Sequence, residues 1–441
     1  MGTVGTPACK THGRKPGSSP GSTIAAGRSR AGGVYDRAVR RILDSRRVRK
    51  ATTTVAGVAK PANARVVARH ARAWRQAEPW SHHVERAGVT YRELIDRSLE
   101  WLARAQDASG SGGVACYEFG GWTSGYPEVT GYIIPTVFDC SRLLDRPDLA
   151  ERAVRMAGWE LRVQKPEGGF ESFYEGDGRP PVVFNTGQAL RGLLRAHEET
   201  GDGRFLDAAR RAADWIVERQ EPDGSWSAAN YLGMKRVYDT YVAAPLAAFG
   251  AATNSPRYTE AAVRNCEFAL AHQRPNGWFD LCDNTPSGNA APVTHTIGYT
   301  VDGLLETGRL TEREDFLAAA GRAAGALAEA VSPSGWLPAR LDEEWRPAAG
   351  YVSLSGSAQI GIVLMHESFG GQYREVAERL VDFLAYVQDL SAVGADRSGG
   401  LPGSYPVWGR YVPLKYPSWA TKYFLDLLVA FVRAEPHDSV A

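Results

Sequence analysis

One short stretch recurs six times along this chain of 441 residues, and its period is the strongest constraint on the fold. The fullest copy is Gln220-Glu-Pro-Asp-Gly-Ser-Trp226. The other copies begin, in chain order, at Gln106, Gln164, Gln273, Val331 and Gln388. Their spacing is roughly 53 to 58 residues. A fixed period of this size predicts stacked supersecondary units.

Two classes of helix alternate between the copies. The first class is small and apolar nearly all round, as in 242–250, and is predicted to be buried. The second class has one polar face, as in 204–220, and is predicted to lie outside. The predicted inner helices span 128–144, 184–199, 238–252, 295–308, 353–368 and 417–434. The predicted outer helices span 90–106, 148–164, 204–220, 256–273, 312–331 and 371–388.

The order of these helices predicts a closed ring. Five consecutive hairpins leave one outer helix at the start and one inner helix at the end, and pairing these two makes a sixth hairpin. The predicted fold class is therefore all-α, an (α/α)6 toroid over 88–435. The long connectors all run from outer to inner helices, so they meet at one rim beside the inner-helix N-termini. Long loops on a rigid scaffold commonly carry function, and helix N-termini favour anions. A bowl on this rim is the predicted site.

The net charge of +1 hides an asymmetry. Residues 1–80 hold 17 Lys and Arg against 3 acidic residues, which gives +14, and the remainder holds 34 against 47, which gives −13. We expect 1–80 to be a basic, largely disordered extension with possible short helices at 34–50 and 62–78. Such an arm suits contact with an anionic surface, or it is simply solvated beside an acidic body.

The five cysteines are odd in number, scattered and without metal-ligand spacing, which predicts a reducing compartment and no metal. No apolar run approaches the ~18 residues of a membrane span, and the basic N-terminus lacks the apolar region of a secretory signal. The predicted location is the cytoplasm. No cofactor and no specific nucleic-acid partner are expected.

The Gln-x-x-Asp-Gly-Ser-Trp pattern resembles the Gln-Trp motif of terpenoid cyclases and protein prenyltransferases, which share an α-α toroid. Similar toroids also serve glycan hydrolases, polysaccharide lyases and sugar epimerases. The stretches Gly125–Pro135 and Asn185–Leu190 look like those of bacterial toroid proteins found with exopolysaccharide-biosynthesis genes. The resemblance implies the scaffold over about 90–434, and it says less about chemistry because one fold hosts many functions.

The residues fit isoprenoid chemistry poorly. The Asp-x-Asp-Asp acid of cyclases and the Asp-Asp-x-x-Asp magnesium motif are both absent. Asp280-Leu-Cys282 superficially resembles the zinc pair of prenyltransferases, but His295 follows too soon. An isoprenoid or prenyl-transfer enzyme therefore stays an alternative, as does a non-catalytic toroid that binds a glycan or another partner.

The first turns of the predicted inner helices combine amides, hydroxyls, carboxylates, a histidine and aromatic rings, a set that suits a sugar. The candidate catalytic residues are Glu128, Tyr132, Asp239, Tyr241, His295 and Tyr299. The candidate substrate-binding residues are Tyr126, Asn185, Gln188, Lys235, Arg236, Trp419 and Lys422.

Two glycan mechanisms are compatible with this set. In the first, Glu128 and Asp239 are the acid and base of an inverting hydrolase, which requires carboxyl groups about 6.5–9.5 Å apart. In the second, His295 or a tyrosine removes the C5 proton of a uronate, in lyase or epimerase chemistry. Asn185, Gln188, Lys235 or Arg236 would then hold the uronate carboxylate.

Each residue also has a purely structural interpretation, such as an ion pair of Asp239 with Lys235 or Arg236. The favoured function is an enzyme of polysaccharide biosynthesis or modification with a polysaccharide or oligosaccharide substrate.

Overall fold

The computed structural model describes residues 56–76, 88–285, 290–390 and 396–434. Within these ranges there are thirteen α-helices and five two-residue strands. The helices are α1 (Pro61–Gln76), α2 (Tyr91–Ser109), α3 (Pro127–Leu144), α4 (Pro147–Val163), α5 (Val183–Thr200), α6 (Gly203–Val217), α7 (Thr240–Ala252), α8 (Pro256–Ala271), α9 (Thr294–Thr311), α10 (Glu314–Ala330), α11 (Leu354–Leu364), α12 (Arg374–Val387) and α13 (Ser418–Ala434). The strands are β1 (Tyr117–Glu118), β2 (Gly121–Trp122), β3 (Val352–Ser353), β4 (Ser404–Tyr405) and β5 (Lys415–Tyr416).

The inner helices form a closed ring. Helices α3, α5, α7, α9, α11 and α13 contact one another in this order, and α13 returns to contact α3. Helix α2, the first outer helix, packs against α13, the last inner one. The sixth hairpin predicted from the two ends of the repeat array is therefore confirmed, and with it the (α/α)6 toroid.

Burial separates the two classes of helix as their sequences predict. In α7 every residue from Thr240 to Ala247 is buried, whereas α6 buries only the face that carries Phe205, Ala212 and Ile216. One predicted boundary was wrong, because α11 ends at Leu364 rather than at 368. The His366 side chain accepts a hydrogen bond from the Ser368 backbone N–H, which starts a separate 3₁₀ turn and ends the regular helix.

The repeated glutamine joins neighbouring outer helices. Gln220 donates to the Gly224 carbonyl (3.1 Å) of its own turn and to the Ala261 carbonyl (2.7 Å) of the next outer helix. The same pair of bonds recurs from Gln164 to Gly168 and Ala208, and from Gln273 to Gly277 and Ala319. Ala261, Ala208 and Ala319 lie inside outer helices, and the Gly224 carbonyl also accepts from Asn265 Nδ2 at 3.0 Å, so the glutamine adds a second donor that ties one outer helix to the next. The repeat stretch is therefore a joint of the outer ring.

The glycine of the same stretch is required by close approach. Gly224 has φ +86°, and a Cβ there would lie 2.2 Å from the Arg264 carbonyl oxygen of α8. Gly399 has φ +85° and would meet the Arg97 carbonyl oxygen of α2 at 2.1 Å. Gly399 belongs to the last repeat and Arg97 to the first, so this glycine-to-carbonyl contact closes the outer ring.

Helix α1 packs on the body of the toroid. Val66 and His70 are each 2% exposed, and His70 Nδ1 accepts from the Val407 backbone N–H at 2.9 Å. The helix predicted at 34–50 and the disorder predicted before it lie outside the described residues. Among the helices that are described, none combines the length and the apolar character needed to cross a bilayer.

Candidate active site

The connectors from outer to inner helices meet at the rim formed by the N-termini of the inner helices, as from Gln164 to Val182. A group of aromatic and ionisable side chains lies inside this rim, linked by the contacts described below. We call this group the bowl. Its members predicted from the sequence are Tyr126, Glu128, Tyr132, Tyr241, His295, Tyr299, Trp419 and Lys422.

Glu128 is the acidic residue of the bowl. It stands in the first turn of α3, half-buried, and its Oε2 accepts a hydrogen bond from Tyr126 Oη at 2.6 Å. Burial raises the pKa of its carboxyl to about 7, and the bond from Tyr126 opposes that shift only in part. Glu128 is therefore divided between acid and conjugate base near neutral pH.

Four tyrosine rings form the floor. Tyr241 and Tyr299 lie 4.6 Å apart between ring centroids, and Tyr423 Oη donates to Tyr241 Oη at 3.3 Å. Tyr132 packs against Tyr423 at 5.5 Å. Burial is the main cause that raises the pKa of all four hydroxyls, and for Tyr299 the largest further cause is the charge of Glu128. The floor is thus a set of neutral phenols.

His295 stands in the first turn of α9, with its ring 4.3 Å from that of Tyr299. Burial lowers the pKa of its imidazole to about 3, so the ring is neutral at neutral pH. The Gln359 amide, with its nitrogen turned toward His295, donates to Nδ1 at 2.9 Å and accepts from the Tyr299 backbone N–H at 3.3 Å. Because Nδ1 accepts, the ring proton lies on Nε2. His295 therefore offers the bowl an N–H donor.

Lys422 lies beneath the floor. Its Nζ is 4.1 Å from the ring centroid of Tyr423 and 5.0 Å from that of Tyr132, and it pairs with Asp426 at 2.7 Å. Its charge is therefore directed to a neighbouring carboxylate and to the faces of two rings.

Several predicted residues make structural contacts instead of joining the bowl. Asp239 is fully buried, and its Oδ2 accepts from Asn230 at 2.5 Å. Asn185 donates to the Glu171 carbonyl at 2.9 Å, and Gln188 donates to the Tyr241 carbonyl at 3.2 Å. The bonds of Asp239 and Asn185 reach residues of the preceding loops, and the bond of Gln188 joins the inner helices α5 and α7.

The two predicted basic residues of the third long loop are also occupied. Lys235 pairs with Asp223 at 2.5 Å and with Glu221 at 3.1 Å, within its own loop. Arg236 is 1% exposed and donates to the Thr285 carbonyl at 3.4 Å. The structure does not place the charge of either residue beside Glu128.

The sequence interpretation missed three aromatic residues. Tyr411 accepts a hydrogen bond from Trp419 Nε1 at 3.0 Å, and its ring lies 5.8 Å from that of His295. Phe184 packs 4.9 Å from Tyr299, and Phe173 packs 6.2 Å from Tyr126. Phe184 is the second residue of α5, so helical position could have found it. Tyr411 and Phe173 lie in irregular loops, where no period identifies the direction of a side chain.

A cavity of about 310 Å³ inside the ring is lined by residues of all six inner helices. Three rings of the tyrosine floor, those of Tyr132, Tyr241 and Tyr423, also line this cavity. Its charged lining residues are Asp139, Arg191, Asp302, Glu306, Lys422, Asp426 and Arg433. Acidic and basic groups are nearly balanced there.

Comparison with solved structures identifies the same architecture in carbohydrate enzymes. An unsaturated glucuronyl hydrolase from Bacillus sp. GL1, responsible for the degradation of glycosaminoglycan, matches with a TM-score of 0.60 and 16% identity, over 78% of this chain and 97% of its own. A cellobiose 2-epimerase from Bacillus thermoamylovorans matches with a TM-score of 0.63 and 10% identity, over 78% and 98%. A glycosyl hydrolase of family 88 from Bacteroides vulgatus matches with a TM-score of 0.57 and 14% identity, over 78% and 99%.

These likenesses establish the fold, an α/α toroid. No family model matches the chain, and no curated protein matches it either. Any chemistry of this chain therefore depends on the residues of the bowl.

Proposed function

We propose that this protein is a glycan-active enzyme that transfers a proton to or from a uronic-acid unit held in the bowl. The observation that carries this proposal is the environment of Glu128. It is a carboxyl group whose pKa is raised to about 7, and it stands beside phenols that remain neutral. A general acid or base works best when its pKa is near the working pH.

The surroundings of Glu128 suit a sugar. Tyr126, Trp419 and Tyr411 present ring faces, and the phenols and His295 Nε2–H present hydrogen-bond donors. The N-termini of the inner helices add the positive ends of their dipoles, which favour a carboxylate. An isoprenoid pocket would be dry and apolar, which fits this polar lining less well.

In the favoured reaction Glu128 takes the C5 proton of a uronate. The electrons of the C5–H bond form a C4=C5 double bond, the C4–O bond breaks, and the departing oxygen receives the proton from Glu128. The neutral phenols, with Tyr299 foremost, and His295 Nε2–H donate to the carboxylate as negative charge develops on it. Return of the proton to the opposite face of C5 would give an epimer instead.

Hydrolysis is the second candidate, supported by the likeness of the fold to the glucuronyl hydrolase. In this reaction the protonated form of Glu128 acts as general acid. Asp239 has no part in either proposed route, because its carboxyl is enclosed and bonded to Asn230.

Proton NMR of uronate-containing polysaccharides incubated with the protein in D₂O tests the proposal. An unsaturated uronate supports the lyase route, deuterium at C5 without cleavage supports epimerisation, and new reducing ends alone support hydrolysis. The Glu128→Gln variant should give none of these signals, while Lys235→Gln, which alters only a loop ion pair, should behave as wild type. No change across a broad panel would contradict a glycan-active enzyme and favour a binding protein.

Other elements of the biological setting remain proposals of the same kind. They are a role in exopolysaccharide biosynthesis, a cytoplasmic location and contact of the basic N-terminal arm with an anionic surface. The buried thiols of Cys116, Cys140 and Cys266 are consistent with the reducing compartment proposed from the sequence.

A further inference from the structure

We propose that a strip of aromatic residues leading out of the bowl binds several further units of an acidic glycan, so that the substrate is a polymer rather than a short oligosaccharide. The strip consists of Tyr126, Phe173 and Tyr231, with Arg179 beside it. This inference rests on the proposed function and adds the length and charge of its substrate.

The three rings form a continuous line across the first three repeats. The Tyr126 and Phe173 rings are nearly parallel, at 6° and 6.2 Å between centroids. Phe173 and Tyr231 follow at 6.1 Å. Tyr126 and Phe173 are half-buried and Tyr231 is 38% exposed, so the line leads from the interior to solvent. Neighbouring Leu232 is 46% exposed and extends the apolar surface.

The inner end of the strip is joined to the candidate acid. Tyr126 donates to Glu128 at 2.6 Å and packs edge-on against Trp419 at 6.2 Å. A sugar placed at Glu128 would therefore have Tyr126 beside it, and the next units of its chain would run over Phe173 toward Tyr231. Aromatic faces along an open groove are suited to the apolar faces of pyranose rings.

Two positions of the strip are held in an unfavourable backbone conformation. Phe173 has φ +65° and Leu232 has φ +62°. The left-handed region costs a residue with a side chain about 1–3 kcal/mol, and such conformations cluster at ligand-binding sites. At Leu232, which is 46% exposed, core packing offsets little of this cost, whereas Phe173 packs against the Tyr126 and Tyr231 rings.

The charge beside the strip indicates an acidic chain. The Arg179 guanidinium lies 4.2 Å from the centroid of the Phe173 ring, and its side chain is 50% exposed. Its ion pair with Asp177 is long, at 3.8 Å, and exposed. An exposed pair of this kind contributes little, so the guanidinium can exchange it for a bidentate bond to a uronate carboxylate.

Isothermal titration calorimetry of the full chain tests the proposal with oligogalacturonates of two, four and eight units as probes. Wild type should bind the longest chain more tightly than the dimer. Phe173→Ala and Tyr231→Ala should each weaken binding of the long chain about three- to tenfold, the size of one aromatic contact. Tyr231→Ala, at the outer end of the strip, should leave dimer binding unchanged. Arg179→Gln should reduce the preference for oligogalacturonate over a neutral cello-oligosaccharide of equal length.

Tyr386→Ala is the matched control, because Tyr386 is 47% exposed on outer helix α12, outside the strip. The strip is refuted if wild type shows no dependence on chain length, or if both aromatic variants retain it in full. An equal loss for dimer and long chain would also overturn it, since it would reveal a general structural role. If wild type binds neither short nor long chains of any sugar, the proposed function fails together with the strip. If Phe173→Ala does not fold, the titration of Tyr231→Ala still tests the strip, because Tyr231 is exposed.

Discussion

The joints of the outer ring and the floor of the bowl are built from the same repeats, yet their polar groups are arranged differently. At the joint, Gln220 bonds two carbonyls and also accepts from Arg264 at 2.7 Å. In and next to the floor, Tyr132 Oη, Gln188 Oε1 and Ser357 Oγ are buried and find no hydrogen-bond partner among the described residues. Buried polar atoms are normally paired, and unpaired ones occur at other joints too, such as Gln388 Oε1 and Asn265 Oδ1. The two regions therefore differ in repetition: the joint repeats one set of bonds at Gln164, Gln220 and Gln273, whereas the floor combines different groups from different helices.

The largest expected effect lies at the bowl. Replacing Glu128 by Gln keeps the size and the bond to Tyr126 but removes the titrating proton. We expect turnover of the active polysaccharide to fall about 10²- to 10⁴-fold, the usual contribution of a general acid or base. Initial rates from the product signal in NMR or ultraviolet absorbance measure this.

The pH profile of the wild-type rate identifies the direction of proton transfer. If Glu128 is the base, kcat/KM rises as pH increases through about 7, because the ionised form is then populated. If it is the acid, kcat/KM falls over the same range. A profile without inflection near pH 7, together with full activity of Glu128→Gln, would remove Glu128 from the mechanism.

At the joint the expected effect is on folding. In Gly224→Ala the new Cβ would meet the Arg264 carbonyl oxygen at 2.2 Å, in a backbone with φ +86°. Strain and overpacking together should lower the free energy of unfolding by about 3 kcal/mol, as measured by urea denaturation.

Gly201→Ala is the matched control for Gly224→Ala. Its φ is +69° but no atom lies within 4 Å of the new Cβ, so only the cost of the left-handed backbone conformation, about 1 kcal/mol, should apply. Equal losses in both would show that the close approach has no energetic importance.

Removing the glutamine of the same joint should have a smaller effect. Gln220→Ala removes two hydrogen bonds, to the Gly224 and Ala261 carbonyls, and at about 0.5–1.5 kcal/mol for each bond it should cost about 1–3 kcal/mol. Gln372→Ala, at an exposed position, should change the unfolding midpoint little. Folded Gln220→Ala protein should keep its kcat, because the joint lies outside the bowl. A loss of kcat without a loss of stability would contradict the separation of the two regions.

This difference also explains what could be predicted from the sequence. The joint makes the same bonds from Gln164, Gln220 and Gln273, so its glutamine and glycine recur at a visible period, and helix order then predicts the ring. The bowl has no period, because each repeat contributes a different group to one ligand. Helical position placed Glu128 and His295 on the correct turns, but it could not show that Gln359 occupies His295 Nδ1.

The loops were the least predictable part. Lys235 was a reasonable candidate for binding a carboxylate, but Asp223 and Glu221 of its own loop neutralise it. Tyr411 reaches the bowl from the loop before α13, where only the path of the chain decides which way a ring points. The pKa of Glu128 is likewise set by burial among several loops and helices. These segments are distant in the sequence, so the residues around Glu128 do not predict this burial.

The smallest expected effect joins the two regions in one measurement, the pH dependence of stability. Burial raises the pKa of Glu128 from an ordinary 4.5 to about 7, so the folded state holds this proton more tightly than the unfolded state. Its contribution to stability is complete below about pH 4.5 and is lost as pH rises to 7. Glu128→Gln should therefore match wild type in melting temperature at pH 4 and exceed it at pH 8. The gain in melting temperature should be smaller than the loss in Gln220→Ala, because solvent reaches the half-buried carboxyl.

Gln220→Ala is the control, and it should lower the melting temperature equally at both pH values, since its bonds involve no titrating group. A Glu128→Gln variant less stable than wild type at pH 8 would show that the carboxylate stabilises the bowl. That result would contradict a raised pKa of Glu128 in the folded protein.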